Sequence, residues 1–166
     1  MNAPTTPAEL DFRALLAREQ GAQVVAFRLG GELHGCDIRL VEEVVTKRTI
    51  HPLPDVPAHL LGVLMLRGEM VPVMDVAPAL GLALEGARAP SILIVTLGEG
   101  RVGVAVDGVH EVLDVPAECV RPAPHGGGDR DAHVVCVARV DAGLVTLIDL
   151  AGILGERTTL NDAERP

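Results

Sequence analysis

The stretch VAFRLGGELHGCDIRLVEEV, Val25 to Val44, returns 68 residues later as LIVTLGEGRVGVAVDGVHEV, Leu93 to Val112, and the two run together without a gap. Leu29, Gly30, Gly35, Val41, Glu43 and Val44 recur as Leu97, Gly98, Gly103, Val109, Glu111 and Val112. A second pair agrees at an offset of 74, where VPVMDVAPALG from Val71 matches VTLIDLAGILG from Val145 and repeats Asp75 as Asp149. One longer loop absorbs the difference between the offsets, and the glycine-rich PAPHGGGDRDA, Pro122 to Ala132, is the place for it, a stretch that reads as a mobile loop. The chain therefore carries one structural unit twice.

The texture of that unit is β. Short runs of Val, Leu, Ile and Thr bounded by Gly, Pro or Asp predict strands near 23–29, 32–37, 46–51, 61–66, 70–74, 91–97, 101–106, 110–115, 133–140 and 143–148. Short helices are expected at 38–44, 75–80 and 149–154, the last two opening on Asp75 and Asp149, which can cap a first turn. Residues 1–22 read as a tail with one short helix, because PAELDFRALLARE has proline in its first turn and Leu10, Phe12, Leu15 and Leu16 at helical spacing; residues 156–166 read as a second tail. A twisted sheet of about five strands hides its edges by curling into a small barrel. The expectation is a mainly β chain with two tandem five-stranded barrels packed side by side, intertwined and dividing roughly into 23–85 and 90–155. Barrels so small need a shared packed seam, and a seam of that kind is also a groove.

Composition removes several functions. With 166 residues, a formal net charge of -9, and neither Trp nor Tyr, the chain lacks the basic face and stacking rings that nucleic acid requires. Its first residues show no basic segment followed by an apolar core, and no apolar run reaches the roughly 18 residues of a membrane span, so a cytoplasmic protein without membrane insertion is expected. Cys36, Cys119 and Cys136 are widely spaced and form no disulfide framework or zinc pattern. His34, His51, His59, His110, His125 and His133 fall at no metal-ligand interval, so no metal site is expected. GxSxG, GxxxxGK[ST] and a helix-opening GxGxxG are missing, and LGEGRVG lies between two strands as a hairpin turn. Asp75 and Asp149 could pair as catalytic carboxylates, but their place at helix starts in both copies favours capping. No catalytic residue and no cofactor are expected.

The order FRLGGELHGCDIRLVEEV, IHPLPDVPAHLLGVLMLRGEMVPVMDV, GVAVDGVHEVLDVP, VRPAP and VTLIDLAGIL resembles the CheW family of bacterial chemotaxis coupling proteins over about residues 23–155. The resemblance implies SH3-like barrels and a non-catalytic adaptor. Its partners would be the cytoplasmic tip of a methyl-accepting chemoreceptor and the regulatory domain of a CheA-type histidine kinase, in arrays beside the membrane. It places receptor contact on Arg67, Gly68, Val41 and Glu43, and kinase contact on Val44, Ile50 and Gly62. A guanidinium fork at Arg67 suits carboxylates on an acidic helix, while the other readings are a solvated turn or an internal pair with Glu42, Glu43 or Glu69. Val41 equally suits a core position. The family usually carries asparagine where Met65 stands, which bears on partner identity. Two other readings remain beside the adaptor: a variant that binds receptors without engaging the kinase, and a double barrel holding a small ligand in its seam.

Overall fold

The computed structural model describes residues 21–85, 90–98, 100–123 and 132–155. The helix expected in PAELDFRALLARE, the tail 156–166 and most of the glycine-rich stretch lie outside them. The described strands are β1 (Ala22–Leu29), β2 (Glu32–Asp37), β3 (Val41–Val45), β4 (Leu60–Leu66), β5 (Glu69–Met74), β6 (Ser91–Leu97), β7 (Gly100–Val106), β8 (Gly108–Val115), β9 (Val120–Arg121), β10 (Val134–Val140) and β11 (Gly143–Ile148). A helix, α1, covers 150–155.

Two sheets form, in the orders β8-β1-β2-β11-β10-β9 and β3-β6-β7-β5-β4. The β1–β2 hairpin of the first copy thus sits among strands of the second, and the β6–β7 hairpin of the second sits among strands of the first. The exchange is reciprocal down to register. Val25 opposes Val112 in one sheet, and Leu93 opposes Val44 in the other, each being the repeat image of its counterpart. Each sheet therefore draws strands from both copies, so the division between the sheets is not a division of the sequence. Strand pairing over long sequence distances, which the repeat alone does not reveal, sets the division.

Because the inserted hairpins occupy sheet interiors, their leading strands are apolar on both faces. In β1, Val25, Phe27 and Leu29 enter the largest core, whereas Ala22 and Val24 enter a second one beneath β10 and β11. In β6, Leu93 and Val95 enter that same largest core, whereas Ile92 and Ile94 fill the other barrel with Leu64, Leu66, Val71 and Val73. The seam is filled: Phe27, Leu29, Val76, Leu80, Leu93, Val104, Ile148 and Ile153 pack within it with no accessible surface or almost none. A packed apolar core lies where a groove was expected.

The helices differ from expectation at one end of the chain and agree at the other. Over 38–44 only Ile38–Leu40 makes a single 3-10 turn, whose Arg39 N–H donates to Asp37 Oδ1 at 2.9 Å, and the chain then enters β3. The strand expected at 46–51 is displaced to Val41–Val45, leaving His51 to make an isolated bridge with Val63. Glu42 and Glu43 favour helix, but Val41, Val44 and Val45 are β-branched and find a ladder in β6, so tertiary pairing prevails. Asp75 Oδ1 accepts the Ala77 N–H and Asp149 Oδ1 accepts the Gly152 N–H, each at 3.0 Å. Asp149 therefore caps α1, whereas Asp75 stands one residue before Val76, the cap position of the 3-10 turn at Ala77–Leu80, and holds that turn's first N–H.

Parallel contacts join the copies inside each sheet, with Leu147 beside Gly35 and Val73 beside Gly103. Neither glycine has room for a side chain. A Cβ on Gly35 would lie 2.8 Å from Leu147 Cδ2 and 3.2 Å from Val24 Cγ2, and one on Gly103 would lie 2.9 Å from Ile92 Cγ2. Gly35→Val and Gly103→Val are each expected to lower unfolding free energy in urea by about 1–3 kcal/mol. Gly108→Ala, whose Cβ meets nothing within 4 Å, should stay within about 0.5 kcal/mol of the parent.

Cys36 and Cys136 are buried and Cys119 is half-buried. Burial first, and the neighbouring Asp37 second, push the Cys36 thiol up to about 12. Since thiolates are the reacting species, iodoacetamide at pH 8 should label Cys119 in the native protein and reach Cys36 and Cys136 only in denaturant, as read by peptide mass mapping.

Candidate functional site

The β4–β5 hairpin closes on two residues, Arg67 and Gly68, with φ of 50° and 83°. Positive φ at both central positions is the turn that matches strand twist, and it is normally filled by Asn, Asp or Gly. An arginine is disfavoured there because its Cβ crowds the following carbonyl. Nothing lies within 4 Å of a Cβ on Gly68, so the tip is open to solvent.

The guanidinium of Arg67 reaches across to β3. Nη1 lies 2.7 Å from Glu43 Oε2, and Nη2 donates to Glu43 Oε1 at 2.9 Å, a two-pronged contact on a side chain that is 63% exposed. Of the readings open to Arg67 from sequence, the internal pair with Glu43 is present; Glu42 and Glu69 are taken by another cation. Arg101 Nε lies 2.9 Å from Glu42 and its Nη1 donates to Glu69 at 3.2 Å. Three glutamates are thus shared between two arginines. Hydrogen bonding from Arg67 holds the Glu43 carboxyl below its ordinary value, and the same contact raises Arg67. Such a pair persists at neutral pH and is lost as acid protonates the carboxylate.

This charged layer tops an apolar barrel. Glu69 lies at the exposed end of the same row as Val71 and Val73, which point into the core formed with Val45, Leu64, Leu66, Ile92, Ile94 and Ala105. Val41, two residues from Glu43, is half-buried and packs against the seam core. The structure therefore assembles Arg67, Gly68 and Glu43 at one tip, with Val41 at its base.

The other three residues are placed less uniformly. Val44 is 39% exposed on β3, and Ile50 is half-buried against the barrel core. Gly62 is buried, with φ of 148°, and a Cβ on it would lie 2.3 Å from the His51 carbonyl oxygen. It offers no side chain to a partner. What it provides is a close approach between β4 and the His51–Pro52 backbone, at a register shift between Leu60 and Gly62 and beside the His51–Val63 bridge.

Sequence reasoning passed over Arg101, whose repeat partner is the apolar Leu33 and gave no signal of an ion pair. It also passed over Met70, which stands opposite Met65 on the outward face of the hairpin. The alternation in LMLRGEMVPV could have revealed it, since Leu64, Leu66, Val71 and Val73 all point inward.

Comparison with known proteins matches this arrangement to one family. The model of the CheW-like domain matches residues 23–158. A probable chemotaxis protein CheW of Rhizobium etli is 29% identical over 136 residues, covering 81% of this chain and 88% of that protein. Protein FrzA of Myxococcus xanthus is 33% identical over 130 residues, covering 76% and 81%. The crystal structure of scaffolding protein TtCheW from Thermoanaerobacter tengcongensis aligns with a TM-score of 0.69 at 32% identity, over 80% of this chain and 91% of that one. The match to the family model takes in both copies of the repeat, both exchanged hairpins and the Arg67 tip, and on that ground the chain belongs to the CheW-like domain family.

Proposed function

We propose that this chain is a non-catalytic chemotaxis adaptor that joins the cytoplasmic tip of a methyl-accepting chemoreceptor to the regulatory domain of a CheA-type histidine kinase. The observation that carries the reading is the display of Arg67. A solvent-exposed ion pair adds little to folding, and arginine is a poor residue for a left-handed turn position. Stability therefore does not account for it, whereas a guanidinium held in a fixed orientation at an open tip suits recognition of a partner.

In this reading the receptor meets the tip formed by Arg67, Gly68 and Glu43, with Val41 at its base, as a helix laid against a mixed apolar and charged surface. The kinase domain meets Val44 and Ile50, on a surface whose path Gly62 shapes. Affinity on that side comes from apolar contact, and register comes from surrounding charge. The adaptor would work in the cytoplasm, recruited to receptor arrays; no helix among the described residues is long and apolar enough to cross a membrane. The filled seam speaks against a ligand held between the sheets.

Calorimetric titration tests the reading with two partners, a receptor-tip fragment and the regulatory domain of a CheA-type kinase from the same source. The parent should bind both. Arg67→Glu should weaken the receptor fragment by about tenfold or more while leaving the kinase domain within about twofold. Absence of binding to both partners overturns the adaptor reading.

A further inference from the structure

The hairpin that carries Arg67 has an outward face that stays apolar where it meets water. Leu64 and Leu66 turn into the barrel, so Val63 and Met65 point away from it. Across the ladder Pro72 stands opposite Val63 and Met70 opposite Met65. Met65 is 47% exposed and Met70 is 63% exposed. Directly opposed residues bring their Cβ atoms to about 4.5–5.5 Å, so two thioethers stand side by side at the root of the Arg67–Gly68 turn. The remaining described methionine, Met74, is 3% exposed and belongs to the seam core. One hairpin therefore presents two accessible sulfurs and one protected sulfur within ten residues.

Neither exposed methionine is explained by packing. On an outward strand position a long, unbranched side chain gains only part of the burial it would have in a core and surrenders rotamer freedom, where threonine or valine would fit the pleat better. What methionine adds at such a place is a soft, adaptable apolar surface that chemistry can switch to a polar one.

We propose that the Met65–Met70 pair is a reversible oxidation site, with a peroxide as the oxidant, and that its oxidation weakens docking of the receptor. Each sulfur donates an electron pair to one peroxide oxygen; an S–O bond forms, the O–O bond breaks, and with hydrogen peroxide the other oxygen leaves as water. Two electrons per sulfur pass to the oxidant. A thiol-dependent methionine sulfoxide reductase reverses the step, its thiols becoming a disulfide as the oxygen leaves as water. The sulfoxide puts a strong dipole and a hydrogen-bond acceptor where the partner expects apolar contact. This second half of the proposal rests on reading the hairpin as the receptor-facing element; the first half does not.

The test uses the full chain in a Cys119→Ser background, because Cys119 is the most accessible of the three thiols. After hydrogen peroxide treatment, peptide mass mapping should show one added oxygen on Met65 and one on Met70, with Met74 unmodified. Titration with the receptor-tip fragment should then be weakened by about five- to tenfold, and reductase treatment should restore it. The double variant Met65→Leu/Met70→Leu, which keeps the apolar volume without sulfur, should give one affinity before and after peroxide. Oxidation of Met74 as fast as the exposed pair, or no oxidation of the pair, overturns the site. Full oxidation of the pair with unchanged receptor affinity overturns the coupling while leaving the adaptor standing. Untreated protein that binds no receptor fragment overturns the adaptor and the coupling together, and the mass map still decides the site.

Discussion

Where β2 meets β11 and β5 meets β7, strands from different copies of the repeat run parallel, and parallel neighbours cannot be closed by a tight turn. Each such contact needs its two strands delivered from distant parts of the chain. The glycines at these places, Gly35 and Gly103, let the partner strand's branched side chains lie almost on the backbone. Once those contacts close, each inserted hairpin is flanked on both sides, its leading strand is buried on two faces, and three cores fill at once. The sheets are tied further by Asp107, between β7 and β8, which accepts the N–H of Gly30 at 2.8 Å and that of Glu85 at 2.7 Å.

The charged tip depends on the same framework. β3 reaches Arg67 only because it pairs with β6 of the other copy and so borders the barrel whose far hairpin carries the arginine. Arg101 arrives on β7, also from the other copy, and draws off Glu42 and Glu69, leaving Glu43 as the partner of Arg67. The ion-pair layer is thus assembled from both copies although every glutamate in it comes from the first.

Much of this was legible in the sequence, for a physical reason. Strand alternation and turn glycines are local signals, and a repeat doubles them, so nine of the eleven described strands lie near where the sequence expects them, with β3 displaced and the two-residue β9 unforeseen. The misplaced element, Val41–Val45, is instructive. Its own residues balance two glutamates against three valines, yet its image Val109–Leu113 falls largely within the strand expected at 110–115, and one conformation for both copies resolves the conflict. Another repeat signal went unused: Ala58-His59 and Ala132-His133 share the offset of 74, and the His59 and His133 carbonyls accept the Asp75 and Asp149 N–H groups at 2.8 and 2.9 Å. Hairpin exchange was not legible, since it is decided by which long-range pairing buries more surface. At the site, Arg67 and Glu43 could be named but not joined, because their contact spans 24 residues and two strands.

Interchanging the two copies leaves every described strand pairing except β9–β10 unchanged, so the backbone has an internal pseudo-twofold axis, the geometry of a swapped homodimer joined into one chain. The side chains do not obey that axis. The tip formed by Arg67-Gly68 has as its image the β10–β11 turn, Asp141-Ala142, so one end of the molecule carries a cation at its apex and the other an anion. Glu69 and Met70 likewise answer to Gly143 and Leu144. The duplicated frame has thereby acquired a head and a tail, and a partner selected by charge at one end is disfavoured at the other.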